Sequence, residues 1–401
     1  MGDHAAVTAR LAELIVGFGA NVQPGQVVNV SSAIGKESLT REVARAAYQR
    51  GAKFVDVHYA DQWVKRERLS HAAEDTLGYV PEWMGQRLLR LADERGCRIS
   101  LSGPHAPTAL EGIDPSRAGR DLLPYLKETG EVINRRTTNW CVAPAPTPAW
   151  AAYVYPELEP QAALDRLWEA VAHICRLDEP DPVQAWTERT RALGATAAWL
   201  TERRFDAVHL HGPGTDLTIG LLPSSRWIAG GMQTVDGVAF HPNLPSEEVF
   251  TTPDPLRAEG VVTGSLPREL YGAIVDGFRL ELAGGAVTRI EAERGAEALR
   301  AAVARDPNGS RLGELALVDG EGRIGPLGTV FYDTLLDENA ASHIALGNGY
   351  ATGVDDPADE RRVNAAGVHI DLMVGRPELV VDGITRGGER VPLLRGGLWQ
   401  R

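Results

Sequence analysis

The fold of this chain is decided by two neighbouring stretches, FYDTLLDENAASHIALGNGY at residues 331–350 and VHIDLMVG at 368–375. In the second stretch, apolar residues alternate with His369, Asp371 and Met373 at the period of a β-strand. This pattern predicts a strand whose apolar face joins a core, while His369 and Asp371 share the other face. An imidazole nitrogen and a carboxylate oxygen placed in this way can bind one divalent metal ion or two adjacent ones.

The first stretch has the pattern of a short helix. Asp337 occupies an expected N-cap position, and the helix is predicted to end at the glycines Gly347 and Gly349. Glu338 then lies in the first turn and His343 in the second. Two interpretations stay open: the acid only complements the helix dipole and the histidine is incidental, or both side chains serve a metal site.

Two acidic residues upstream also lie on predicted strands. Glu248 belongs to SEEVFTTP at 246–253, and Glu314 interrupts the apolar strand RLGELALVDG at 311–320. A carboxylate buried without a partner costs several kcal/mol, so Glu314 needs a metal ion or a basic residue nearby. His209 and His211, on one face of another strand, are rival ligands, whereas the neighbours of Glu259 indicate a solvated turn.

The N-terminal part alternates strand and helix three times over the first ~110 residues, which predicts a doubly wound parallel α/β domain. The proline-rich segment 135–151 is predicted to be extended and free of regular helix. A linker at LDEPDP, residues 177–182, divides the chain into an N-terminal α/β domain, 1–182, and a β-rich α+β metal-binding domain, 183–401.

Composition excludes several functions. The excess of 54 acidic over 41 basic residues gives a net charge of -13, which opposes binding to nucleic acid or to an anionic membrane. The three cysteines have no metal-binding or paired spacing, which is typical of a reducing cytoplasm. The sequence has neither a signal peptide pattern nor an apolar run of about 18 residues, and the turn SSAIGKES lacks a phosphate-binding pattern.

Four motifs together carry a family resemblance. PNLPSEEVFTTP, GELALVD, TLLDENAASHIALGNGY and HIDLMVG occur in this order over the C-terminal half. In this respect the chain resembles the thermophilic metalloaminopeptidase family, which includes aminopeptidases T and S. Over the first ~110 residues only the α/β rhythm agrees with that family.

The resemblance implies a role for each matching residue. It assigns two divalent cations to Glu248, Glu314, His343, His369 and Asp371. It also implies a catalytic phenol at Tyr350, and it makes Glu338 either an extra ligand or the general base. Because five ligands fill two metal shells only if one carboxylate bridges, we expect Glu314 to bridge.

The function implied is hydrolysis of N-terminal residues from short peptides by a water that two metal ions activate. Zinc, cobalt, manganese and magnesium all suit such ligands. The family also implies a homodimer. Two alternatives stay open: a metal-dependent amidase or deacylase acting on small amides, and a non-catalytic protein whose metal site is structural.

Overall fold

The structure of the chain is a computed structural model that describes residues 4–121, 123 and 127–401. Two compact units divide it. Unit 1 comprises 1–190, 230–246 and 331–336, and unit 2 comprises 191–229, 247–330 and 337–401. The boundary predicted after residue 182 stays a prediction. Among the described residues, no helix combines the length and apolar character needed to cross a membrane.

Unit 1 contains a parallel four-stranded sheet, which confirms the predicted α/β architecture of the N-terminal part. Its spatial order is β2-β1-β3-β4, with the strands β1 Val27–Ala33, β2 Phe54–Ala60, β3 Cys97–Ser102 and β4 Asn139–Pro144. In β1, buried and half-buried residues alternate, and Val28 and Val30 lie fully inside. Alternation of this kind shows that one face of β1 is fully packed and the other is partly accessible.

The helices of unit 1 follow the predicted rhythm. They are α1 Ala5–Leu14, α2 Glu37–Gln49, α3 Gln62–His71, α4 Glu82–Asp93, α5 Pro115–Arg120, α6 Lys127–Arg135, α7 Pro148–Val154 and α8 Pro160–Ile174. In α2 the stripe that faces the sheet is buried, namely Leu39, Val43, Ala46 and Ala47. The prediction of no helix in 135–151 is wrong at its end, because Pro148 begins α7. Proline is well tolerated in the first turn, where its missing N–H has no partner to lose, and Thr147 caps the helix by accepting from Trp150 N.

A buried lysine binds backbone carbonyl groups at the carboxyl end of this parallel sheet. Lys36 donates from Nζ to the carbonyl oxygens of Leu101, Ser102 and Gly103 at 2.8, 2.7 and 2.7 Å. Burial lowers its pKa to about 8, although the nearby carboxylate of Asp333 acts in the opposite direction. The three carbonyl groups therefore replace water as hydrogen-bond acceptors for the buried ammonium group of Lys36.

Helix α9, Pro182–Arg203, leads from unit 1 into a β-rich region. The remaining elements are β5 Ala207–Gly212, β6 Thr215–Leu221, β7 Trp227–Ala229, β8 Met232–Gln233, β9 Ala239–Phe240, β10 Glu248–Thr251, β11 Pro253–Thr263, β12 Arg268–Leu270, β13 Ala273–Val275, β14 Arg279–Ala283, β15 Ala286–Glu291, α10 Ala296–Val303, β16 Leu312–Val318, α11 Thr334–Glu338, β17 His343–Gly347, α12 Pro357–Glu360, β18 His369–Met373, β19 Val380–Ile384, β20 Arg390–Arg395 and β21 Leu398–Trp399. The predicted β-rich, α+β character of this part of the chain is confirmed.

Two larger sheets build unit 2. One has eight strands in the order β15-β14-β11-β6-β5-β19-β20-β21, and the other has five in the order β18-β17-β16-β10-β7. One face of the five-stranded sheet joins the hydrophobic core through Val249, Leu315, Leu317, Ile344, Leu346, Ile370 and Leu372. Since side chains alternate along a strand, the residues between them share the opposite face.

Candidate metal centre

The opposite face of the five-stranded sheet collects the predicted ligands from four adjacent strands. Glu314 pairs in register with Ala345, and Ala345 pairs with Asp371, so the two acids stand on one face across β16, β17 and β18. His343 pairs with Met373, which is two residues from Asp371, so His343 lies on the same face as Asp371. Glu248 pairs with Val318, which is four residues from Glu314, so Glu248 also lies on this face. The sheet therefore brings together side chains that are more than a hundred residues apart in sequence.

The ligand atoms form two overlapping triads. One consists of Glu248, Glu314 and His343, the other of Glu314, His369 and Asp371, and within each triad the atoms lie within 4.8 Å of one another. His343 Nε2 is 3.2 Å from Glu248 Oε2. His369 Nε2 is 2.9 Å from Asp371 Oδ1 and 3.3 Å from Glu314 Oε2. Glu314 belongs to both triads, as a bridging ligand would.

Backbone contacts set the orientation of both imidazoles. Nδ1 of His343 lies 3.2 Å from the carbonyl oxygen of Ala341, and Nδ1 of His369 lies 2.8 Å from that of Asn348. A carbonyl oxygen can only accept, so each Nδ1 carries the donating hydrogen. In the neutral ring this leaves the lone pair on Nε2, which faces the carboxylates, and second contacts of this kind are typical of metal-binding histidines.

The electrostatics of the cluster favour added positive charge. Burial raises the pKa of Glu314, and burial together with the charges of Asp371 and Glu248 raises that of Glu338 well above its usual range. Burial alone would lower the pKa of His343, but the Glu248 carboxylate outweighs it and raises the value to about 10. Carboxylates that resist ionisation and imidazoles that hold protons are what a buried acidic cluster shows without cations.

The donor set fits divalent metal ions. It offers carboxylate oxygens and imidazole nitrogens, the groups that zinc and related cations bind. Glu248 Oε2 is buried and makes no well-aligned hydrogen bond among the described residues; its neighbour is Nε2 of His343 at 3.2 Å, the atom with which it would share a cation. Burial would raise the pKa of Asp371, yet the imidazole of His369 holds that pKa below its usual range, so this candidate ligand is ionised.

Tyr350 and Glu338 border the cluster. The ring of Tyr350 lies 5.3 Å from that of His369, its backbone oxygen accepts from Thr252 Oγ1 at 2.8 Å, and burial raises its pKa, so the phenol stays neutral. Glu338 ends α11, and the next residue, Asn339, accepts from Glu247 N at 2.6 Å. This contact fixes the end of α11 to the start of β10.

The predicted helix around His343 is wrong. Helix α11 is over at Glu338, and His343 begins strand β17, whose five residues are all buried. The run Ile344–Leu346 is apolar on both faces, and such a short run fits a buried strand as well as a helix. Hydrogen bonds to β16 on one side and to β18 on the other stabilise this segment as a strand. As a result, His343 lies beside Glu248.

The rival ligands lie outside the triads. His209 Nε2 is 2.8 Å from Asp216 Oδ1, and its Nδ1 is 2.8 Å from a guanidinium nitrogen of Arg390. Arginine cannot accept, so Nδ1 is the acceptor and Nε2 donates to Asp216. Both ring nitrogens are thus engaged, and neither His209 nor His211 belongs to either triad. One residue that sequence reasoning missed is Arg268, whose Nη1 lies 3.7 Å from Asp371 Oδ2.

Fold and site together present a buried cluster of carboxylates and imidazoles that could hold divalent cations. The sequence profile of the thermophilic metalloprotease family (M29) matches residues 5–399. Aminopeptidase T of Thermus thermophilus is 41% identical over 399 residues and that of Thermus aquaticus 40% over 398, each covering 97% of both chains. The solved structure of wild-type AmpT from Thermus thermophilus superposes with a TM-score of 0.90 at 39% identity, covering 99% of this chain and 100% of that one.

This chain belongs to the thermophilic metalloprotease family, and it is a metalloaminopeptidase, a hydrolase. The family resemblance found in the sequence is thereby confirmed.

Proposed function

We propose that this aminopeptidase removes N-terminal residues from short peptides with the help of two divalent cations. The observation that carries the proposal is the position of Glu314, which belongs to both triads. Two cations that share this carboxylate would each receive two further ligands, Glu248 with His343 and His369 with Asp371. Three protein ligands per ion leave room for water and substrate, as catalytic metal sites require.

The bound cations would supply Lewis acidity, which polarises the peptide carbonyl and makes a water molecule nucleophilic near neutral pH. Glu338 is then the proton carrier, which accepts a proton from the attacking water and returns it to the leaving amine. What supports this role is its place: Glu338 is buried at the border of the cluster, close enough to Asp371 and Glu248 for their charges to act on it. Binding a cation as a further ligand is the alternative role for Glu338.

Tyr350 is proposed to donate its phenolic hydrogen to the carbonyl oxygen as negative charge develops there. Its neutral state and its place beside His369 support this role. A donor of this kind contributes about 3 kcal/mol to the transition state.

The family resemblance supports further proposals about the setting of the enzyme. The relatives are named aminopeptidases, so peptides with a free N-terminus are the proposed substrates. A homodimer in the cytoplasm is proposed, with zinc, cobalt, manganese or magnesium as the cation. The three buried free thiols, Cys97, Cys141 and Cys175, support a reducing compartment.

Two measurements test the proposal. Leucyl peptides with free and with acetylated N-termini are compared as substrates, and anomalous scattering near Glu314 counts the bound cations. We expect two cations and cleavage of the free peptides only. Equal cleavage of both peptides would favour an amidase, and a metal-loaded protein that cleaves neither would favour a structural metal site.

A further inference from the structure

An arginine lies at the edge of the metal centre, in a position that the proposed roles above do not use. Arg268 is the first residue of β12, and its Nη1 is 3.7 Å from Oδ2 of Asp371. The side chains of Arg268 and Asp371 are only 11% and 8% exposed. A cation so deeply buried beside a metal ligand is unusual, because it would repel the metal ions.

The guanidinium of Arg268 has unused hydrogen-bonding capacity. Its Nε and Nη1 are buried, and neither has a hydrogen-bond partner among the described residues. At 3.7 Å, Asp371 Oδ2 is too far for a hydrogen bond, and Oδ1 of the same carboxylate lies 2.9 Å from His369 Nε2. Buried donors without an acceptor are costly, so the site is built for an acceptor that a ligand brings.

The backbone of Arg268 is fixed in place. Strand β12 pairs with β13, and the hairpin buries Leu270 and Val275 in the core of unit 2. Just before it, Ser265 N donates to the carbonyl oxygen of Met373 at 2.9 Å, which ties the segment to β18, the strand of Asp371. The unused donors are therefore a feature of the fold and not the result of a loose loop.

We propose that Arg268 binds the substrate oxygen that becomes negatively charged, and afterwards the carboxylate of the released amino acid. This inference rests on the proposed function. When water adds to the peptide carbonyl, the π electrons of the C=O bond move onto its oxygen. When the C–N bond breaks, the bonding pair and a proton go to the amine, and the amino acid leaves as a carboxylate whose single negative charge is shared by two oxygens. Arginine is the side chain best suited to such oxygens.

Charge also orients the substrate. The positive N-terminus of a peptide is repelled by the guanidinium of Arg268. The carbonyl carbon lies one bond beyond the carbon that bears this amine. Arg268 thus defines the side of the centre that receives the carbonyl, opposite to the side that receives the ammonium group.

The alternative is that Arg268 only aligns Asp371 as a ligand. The two roles predict different changes in ligand affinity and in metal affinity. A residue that binds substrate oxygens distinguishes an anionic ligand from a neutral one, whereas a residue that aligns Asp371 changes the affinity for metal ions and weakens all ligands alike.

The test uses the full-length protein loaded with zinc and two analogues of leucine, its α-aminophosphonate and its amino alcohol leucinol. Calorimetry measures the binding of each probe to wild type, Arg268→Gln and Arg268→Lys, and chelator competition measures zinc affinity. Arg305→Gln is the matched control, since Arg305 donates to the hydroxyl of Tyr271 in the same hairpin without taking part in the triads. Melting temperatures show whether each variant is folded.

We expect Arg268→Gln to weaken the phosphonate about ten- to hundred-fold and leucinol less than about threefold, the range for a hydrogen bond to a charged group. Arg268→Lys, which keeps the charge, recovers part of the loss, and Arg305→Gln leaves the ratio of the two affinities unchanged. Equal weakening of both probes with lower zinc affinity overturns the inference, as does a wild type that binds the phosphonate no more tightly than leucinol. If wild type cleaves no leucyl peptide while Arg268→Gln still selectively weakens the phosphonate, the proposed function fails, the role of Arg268 in the reaction fails with it, and only its recognition of an anionic oxygen is supported.

Discussion

Replacing Glu314 by Gln tests the shared-ligand arrangement most directly. The variant keeps the size of the side chain but removes the charge from the one residue common to both triads. Each triad then has two ionisable ligands in place of three. At metal concentrations that saturate the wild type with two cations, we therefore expect the variant to bind at most one. The metal-free protein should not lose stability, because burial already opposes ionisation of Glu314.

The magnitude follows from binding linkage. Each tenfold loss of metal affinity removes about 1.4 kcal/mol of metal-dependent stabilisation under saturating conditions. A hundredfold loss, which we take as the minimum for a bridging carboxylate, lowers the metal-dependent part of the free energy of unfolding by about 2.7 kcal/mol. Urea unfolding with zinc and with EDTA gives this part by difference, and mass spectrometry gives the metal content.

Glu259→Gln is the matched control. Glu259 is an exposed carboxylate on β11 in the same unit, whose Oε1 accepts from Gly284 N at 2.6 Å. We expect this variant to bind two cations with wild-type affinity. Two cations bound with unchanged affinity by Glu314→Gln would refute the idea that Glu314 bridges them.

Three further predictions concern other residues. Tyr350→Phe should lower kcat about 10²- to 10³-fold with little change in KM, measured by steady-state kinetics; an equal loss in KM would contradict a transition-state role. His209→Gln should leave metal content unchanged, because both ring nitrogens of His209 are already engaged by Asp216 and Arg390. Lys36 has a pKa of about 8 in the folded protein against 10.5 unfolded, so the unfolded state binds the extra proton between these values. Stability should therefore rise by about 3 kcal/mol from pH 8 to 10.5 and be independent of this group below pH 8, a slope that urea unfolding should show in the wild type and not in Lys36→Met.

Much of the site is visible in the sequence because its strands show their period. The alternation around His369 and Asp371 correctly predicts that both side chains lie on the face opposite the hydrophobic core. The single acid in an apolar strand does the same for Glu314. His343 was assigned to a helix because Asp337 resembles an N-cap and small residues follow it. Only the neighbouring strands β16 and β18, which belong to other parts of the chain, make that segment extended.

Other features follow from tertiary structure alone. The order β18-β17-β16-β10 places Glu248 beside His343, although the intervening chain also forms strands of the eight-stranded sheet. Arg268 carries no sequence signal, since an arginine in a short hairpin is usually solvated. Its importance depends on the backbone contact between Ser265 and Met373, which joins its segment to β18.

The order of the strands in the five-stranded sheet has a consequence for biosynthesis. The ligands come from β10, β16, β17 and β18, so the last two, His369 and Asp371, are translated only after most of the chain has left the decoding site. A nascent polypeptide that already contains Glu248 and Glu314 still lacks the second triad. If the proposed ligands are correct, such an intermediate cannot complete the metal centre, so we expect peptidase activity only after translation has passed Asp371.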